Sequence, residues 1–269
     1  MIKSIYRVIV PEKMRRKLRF LTQSYALSLK WQIVRLMRWP VLKSLPLRDL
    51  SKYEFKFYSQ NGEDGILWAL FSKLGTTNKY FVEFGVENGV QCNARLLREN
   101  GWRGLMMDGN DGNPPEIKKE FITAENINSL FLKYDVPDEF DLLSIDIDGN
   151  DYWVWKQLDP RYRPRILIIE YNAHFPPDIC RSIAYDPDFR WQKDDYFGAT
   201  LGALVKLSNS KGYQLVACDR QGVNAIFVRT DLLKNRIIPK DSKNLYRRPG
   251  YGNPRGSGHP RSSRAMIEV

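Results

Sequence analysis

Four apolar runs of this chain carry a carboxylate at or near their ends: Glu83 in Tyr80–Phe84, Asp108 after Gly104–Met107, Asp146 after Phe140–Ile145, and Glu170 after Arg165–Ile169. One carboxylate in a loop is ordinary. Several gathered on one edge of a sheet repel each other unless a cation or a polar ligand separates them. As a group they read as a ligand site, while each alone can equally cap a helix or face water. Glu83 runs into Gly85 and Gly89, which let backbone come close to a ligand, and the next helix opens there with free N–H groups. The glycine spacing is not the dinucleotide pattern, and no Lys-Ser/Thr follows for a phosphate loop. Glu83 and Glu87 crowd the same turn and favour a ligand with a positive centre, such as a sulfonium and an ammonium. Asp108 stands at the end of the next strand, where an acid accepts hydrogen bonds from two ribose hydroxyls. Together these two positions point to S-adenosylmethionine.

The run Asp146-Ile147-Asp148-Gly149-Asn150-Asp151 is the most distinctive. It is not a calcium loop of the EF-hand type, because its glycine is misplaced and no glutamate closes it. Asp146, Glu170 and Asn172 can instead chelate one hard cation through oxygen, and such a cation lowers the pKa of a bound hydroxyl. The other reading has Asp146 on the cofactor amino group and Asp148 and Asp151 capping the helix near Tyr152. His174, just after Asn172, is one of two histidines. It is a candidate general base, or it orients its loop. Asp148 is the second candidate base. The loop from Phe175 to Gly198, rich in Asp, Tyr, Trp and Arg, suits a carbohydrate or other polar substrate.

These residues need elements to hold them. Periodicity predicts helices over 62–75, 90–100, 152–158 and 201–210. Apolar runs predict strands at 80–84, 104–108, 121–123, 140–146, 165–170, 213–217 and 224–228. The alternation gives an α/β fold, a doubly wound, mainly parallel, seven-stranded Rossmann-like sheet that binds ligands beyond its carboxyl ends. The last two strands are too close for a crossover and must form an antiparallel hairpin. That outline is the one of a class I methyltransferase.

Tyr58-Ser59-Gln60-Asn61-Gly62-Glu63-Asp64-Gly65-Ile66-Leu67 and Phe81-Val82-Glu83-Phe84-Gly85-Val86-Glu87-Asn88-Gly89 carry a resemblance. Leu143 to Gly149, Ile169-Glu170-Tyr171-Asn172 and Gly212 to Val216 continue it. Over residues 53–230 the chain resembles FkbM-like S-adenosylmethionine-dependent methyltransferases. The resemblance implies O-methylation of a hydroxyl on a sugar or natural-product precursor, as in polysaccharide biosynthesis. It places Glu83, Gly85 and Gly89 on the methionine side of the cofactor, Asp108 at its ribose, and Ser59, Gln60 and Glu63 near cofactor or substrate. The family more typically has a single Asp followed by Glu-Gly where Asp146-Ile147-Asp148-Gly149 stands here. Sugar methyltransferases of similar fold that use Mg2+ keep a metal open.

The 269 residues carry a net charge of +11, with 42 Lys+Arg against 31 Asp+Glu. The excess lies in two arms. Residues 1–50 are net +10, 236–269 net +6, and the intervening 51–235 net −5. A nucleic-acid-binding core shows the reverse, so no specific nucleic acid is expected. The expected organisation is a basic amphipathic N-terminal arm (1–50), a methyltransferase domain (51–235) and a flexible basic Gly/Pro/Arg-rich tail (236–269). Within the first arm, Lys13 to Trp39 reads as a helix that lies on an anionic membrane surface or packs its stripe on the core or a second subunit. Three scattered cysteines, no apolar span and no standard signal peptide give a cytoplasmic expectation, peripheral at the inner face of the membrane if the arm binds lipid. The rival reading is a non-catalytic membrane- or nucleic-acid-associated protein that keeps the fold.

Overall fold

A computed structural model describes residues 47–252 and 256–269. The predicted N-terminal helix lies outside the described residues. The core is a sheet of seven strands: β1 (Tyr80–Phe84), β2 (Arg103–Asp108), β3 (Ile117–Lys119), β4 (Glu139–Ile145), β5 (Arg163–Glu170), β7 (Tyr213–Cys218) and β8 (Asn224–Arg229). Their order is β3-β2-β1-β4-β5-β8-β7. The first five are parallel, and β8 runs antiparallel between β5 and β7. This is the expected mainly parallel sheet with a terminal antiparallel hairpin. A second, two-stranded sheet pairs β6 (Arg181–Ser182) with β9 (Ile267–Glu268).

The strands form because their runs are apolar on both faces. Leu142, Leu143, Ile166, Leu167, Ile168 and Phe227 are wholly buried, as a sheet covered by helices on both sides requires. The helices are α1 (Glu63–Leu74), α2 (Arg95–Glu99), α3 (Ile127–Lys133), α4 (Asp151–Gln157), α5 (Leu201–Ser210) and α6 (Ser242–Leu245). Helix α1 ends at Gly75, whose N–H makes the last bond to the Phe71 carbonyl and whose positive φ turns the following chain out of the helix. Helix α5 begins at Thr200, whose side chain accepts from the Ala203 N–H.

Three expectations change. The third strand is Ile117–Lys119, not 121–123. Thr123 is used as a cap: its N–H donates to Asn126 Oδ1 while the Asn126 N–H donates to Thr123 Oγ1, which starts α3. The helix expected over 90–100 keeps only Arg95–Glu99, because Glu83 captures the Asn93 and Ala94 N–H groups and holds the preceding residues in a turn.

The C-terminal segment is the third. It is folded onto the core rather than flexible, and Pro46–Val269 forms one unit with no boundary at 236. The Tyr246 hydroxyl donates to the Ala173 carbonyl, the Gly250 N–H to Gln221, and the Ser262 N–H to Asp195. Arg264 meets both carboxylate oxygens of Asp194 at 3.1 Å. Low aliphatic content concealed this docking, which runs on hydrogen bonds, ion pairs and aromatic rings. No helix among the described residues is long and apolar enough to cross a membrane.

Candidate active site

A cavity of about 700 Å³ opens over the carboxyl ends of β1, β2, β4 and β5. Its wall includes Glu83, Gly85, Asp108, Asp146, Asp148 and Glu170, so the acids converge as their strand positions require. Gln60 lines it too, from the loop before α1. That loop is held by Asp64, one of whose oxygens accepts the N–H groups of Phe57, Tyr58 and Ser59 at 2.7–2.8 Å.

Each acid is anchored differently. Glu83 accepts the Asn93 and Ala94 N–H groups at 2.6 and 2.9 Å. Burial nevertheless lifts it to about 7, with the nearby Asp64 charge adding to the rise. Asp108 accepts the Glu87 and Asn110 N–H groups at 2.7 and 2.8 Å, one on each oxygen. Asp151 accepts the Ile147 and Gly149 N–H groups at 2.9 Å and so fixes the turn after β4 from within α4. In that turn Asp148 adopts φ +56°, a left-handed conformation. Burial and the charges of Asp151, Glu87 and Asp108 raise Asp148 to about 6.

Asp146 and Glu170 are pushed well above the carboxylate range, first by burial and then by neighbouring carboxylates: Asp148 is the largest for Asp146, and Asp146 for Glu170. Oxygens of Asp146, Asp148 and Glu170 lie within 4.8 Å of one another, and Glu170 Oε2 is buried without a hydrogen-bond partner. Such a set fits a hard cation or a cationic ligand.

Gly85 has φ +66°, and a Cβ there would collide with the Asp146 carbonyl oxygen. Its smallness therefore lets the ends of β1 and β4 touch. Gly89, at φ +74°, sits against Ile117 and is not among the cavity-lining residues.

Asn172 and His174 are off this wall as well. Asn172 is fully buried; its amide donates to the Asp195 and Phe197 carbonyls and its oxygen accepts the His174 N–H. The Asn172 side chain is thus engaged in the loop, and the carboxylate that joins Asp146 and Glu170 is Asp148. His174 does not line the main cavity. It borders a smaller hollow of about 400 Å³, and its Nε2 accepts the His259 N–H at 3.1 Å. The His174 ring thus contacts the C-terminal segment, and of the two candidate bases Asp148 is the one on the main wall.

Residues that sequence reasoning missed complete the wall. Asn61, Asn150 and Asn224 join it, as do Tyr251 and His259, while Phe189 and Trp191 come from the 175–198 loop expected to meet a polar substrate. The rings of Trp191 and His259 lie 4.6 Å apart, and those of Tyr251 and His259 5.1 Å apart. The available signal was the aromatic content of a Gly/Pro-rich tail, since a solvated tail has no use for Tyr246, Tyr251 and His259.

No family model matches the chain, and none of the curated proteins matches it.

Proposed function

We propose that the chain is an S-adenosylmethionine-dependent methyltransferase of the FkbM-like class I type, transferring methyl to a hydroxyl of a sugar or natural-product precursor. The observation that carries this is the convergence of Glu83, Asp108, Asp146, Asp148 and Glu170 on one cavity at the carboxyl ends of the parallel strands. An acid-walled site of this size suits a drug-sized ligand bearing positive charge. The antiparallel β8 beside β5 supports the class I reading.

Asp108 would accept the ribose hydroxyls through Oδ2, which holds only the Glu87 N–H, and through Oδ1 by displacing the long 3.4 Å bond from the Asn113 amide. Bound there, the cofactor supplies an electrophilic methyl group. Asp148, near 6, is a carboxylate at neutral pH and takes the acceptor's proton as the oxygen attacks. The remaining contribution is alignment and exclusion of water.

Mg2+ belongs to the same proposal. Asp146 and Glu170 would hold it beside Asp148, which keeps its role as base, and it would supply a Lewis acid for the acceptor oxygen. A reducing, cytoplasmic setting is supported by Cys92, Cys180 and Cys218 all being free thiols. Peripheral membrane contact rests on the charge pattern of the N-terminal arm alone. The deciding experiment is methyl transfer from labelled donor to a panel of glycans, with and without Mg2+. No transfer under either condition counts against the reading.

A further inference from the structure

Five buried side-chain polar atoms that have no hydrogen-bond partner belong to residues of this one cavity wall: Asn61 Nδ2, Asn150 Oδ1, Glu170 Oε2, Asn224 Oδ1 and Tyr251 Oη. Buried polar atoms are nearly always paired, and each exception asks for an explanation. Their gathering in one wall points to a ligand that pairs them.

Four of the five meet at one end. Glu170 and Asn224 are opposite each other in the β5–β8 register. The Asn224 amide donates to Glu63 Oε1 at 2.7 Å, which fixes its orientation and leaves Oδ1 unpaired. The other Glu63 oxygen accepts the Asn61 N–H at 3.0 Å, tying Asn61 to the same spot. Tyr251 arrives from the C-terminal segment, beside the carboxylates of Glu170 and Asp219, which together with burial hold it as a neutral phenol. This end is distinct from the β2 end, where Asp108 stands.

We infer that Asn61, Glu170, Asn224 and Tyr251 form an acceptor subsite for a neutral polyhydroxylated ligand, in which the Tyr251 hydroxyl, contributed by the C-terminal segment, sets specificity. The subsite rests on the methyltransferase reading only for the word acceptor.

The chemistry of the four atoms selects the ligand class. Asn61 Nδ2 is a donor and Asn224 Oδ1 an acceptor, whereas the Tyr251 hydroxyl and the carboxyl of Glu170 can serve as either. An ammonium ligand would serve only the acceptors. A phosphate or carboxylate would serve only donors and would leave Asn224 Oδ1 unpaired, in a wall already crowded with acids. A hydroxyl both donates and accepts, and neighbouring hydroxyls serve all four atoms. Trp191, Tyr251 and His259 add ring surface suited to the C–H face of a saccharide. The four atoms are closed to solvent, so engaging them takes a side-chain adjustment of the wall.

The test is ligand-observed saturation-transfer NMR on the full chain with methyl hexopyranosides at millimolar concentration, alongside the same sugars as 6-phosphates. Wild type is expected to bind at least one neutral glycoside and to bind its phosphate more weakly. Tyr251→Phe should weaken glycoside binding by about fivefold, the loss of one hydrogen bond. Asn61→Ala should also weaken it with no fall in melting temperature, because Asn61 Nδ2 has no partner within the chain. Calorimetry with S-adenosylmethionine should be unchanged in both variants. No binding of any glycoside to wild type, undiminished binding to Tyr251→Phe, or preference for the phosphates overturns the subsite. Glycoside binding without S-adenosylmethionine binding keeps the subsite and overturns the methyltransferase reading.

Discussion

Asp148 is the residue where charge and geometry conflict most openly. Its folded value near 6 lies above the ordinary carboxylate value, so between the two the folded chain binds more protons than the unfolded one. Stability therefore falls as pH climbs from the ordinary carboxylate range through about 6, and levels off above. Asp148→Asn removes that loss, and asparagine accepts the left-handed φ of this position. Because Asp148 is exposed and solvent screens its neighbours, we expect the variant's melting temperature to exceed wild type by only about a degree or two at neutral pH, with the gain vanishing near pH 4. Methyl transfer should fall at least tenfold with it. Glu83 carries a related pH signature. Its value near 7 means that binding a cationic ligand draws off protons, so affinity for S-adenosylmethionine should rise as pH increases through about 6 to 7 and then plateau. Calorimetry in buffers of different ionisation enthalpy reads both the trend and the released proton. The acids were legible in the sequence because a carboxylate at the end of an apolar run has few other places to go. The roles of Asn172 and His174 were not, since the Asn172 amide and the His174 ring bond to residues more than twenty positions away.

The elements that bring these acids together are two left-handed turns, at Gly85 after β1 and at Asp148 after β4. Gly85→Ala drives a Cβ into the Asp146 carbonyl, so it should cost about 3 kcal/mol or more, or abolish soluble expression. Gly75→Asn is the control. At φ +77° and ψ −174° it sits in a region that glycine alone adopts easily, with open space where the Cβ would go, so its cost should be about 1–2 kcal/mol of backbone strain, below that of Gly85→Ala. Denaturant midpoints separate the two. Most strands were readable to within one or two residues because both faces are buried and the runs are continuously apolar. The third strand was not. Phe121-Ile122-Thr123 has strand-like composition, yet Thr123 gains more by capping α3, while Ile117 fills the space beside Gly89.

At the scale of the whole molecule, the C-terminal segment changes the meaning of the basic charge. Arg264 pairs with Asp194 and lies over the Tyr196 ring, so part of the basic C-terminal charge meets the acidic core instead of solvent. Deleting residues 250–269 should lower the melting temperature by several degrees and remove Tyr251 and His259 from the cavity wall. A solvated tail would be lost without either effect. Composition could not reveal this, because segments poor in aliphatics can still be ordered by polar partners supplied from the core. The reading as a whole stands on the acid-lined cavity receiving S-adenosylmethionine, and Asp108 gives the most direct access to it. Calorimetric titration of S-adenosylmethionine into wild type and Asp108→Asn should show saturable binding to the first, weakened about tenfold or more in the second. Absence of binding to wild type at millimolar ligand, or equal affinity for the two proteins, would contradict the account.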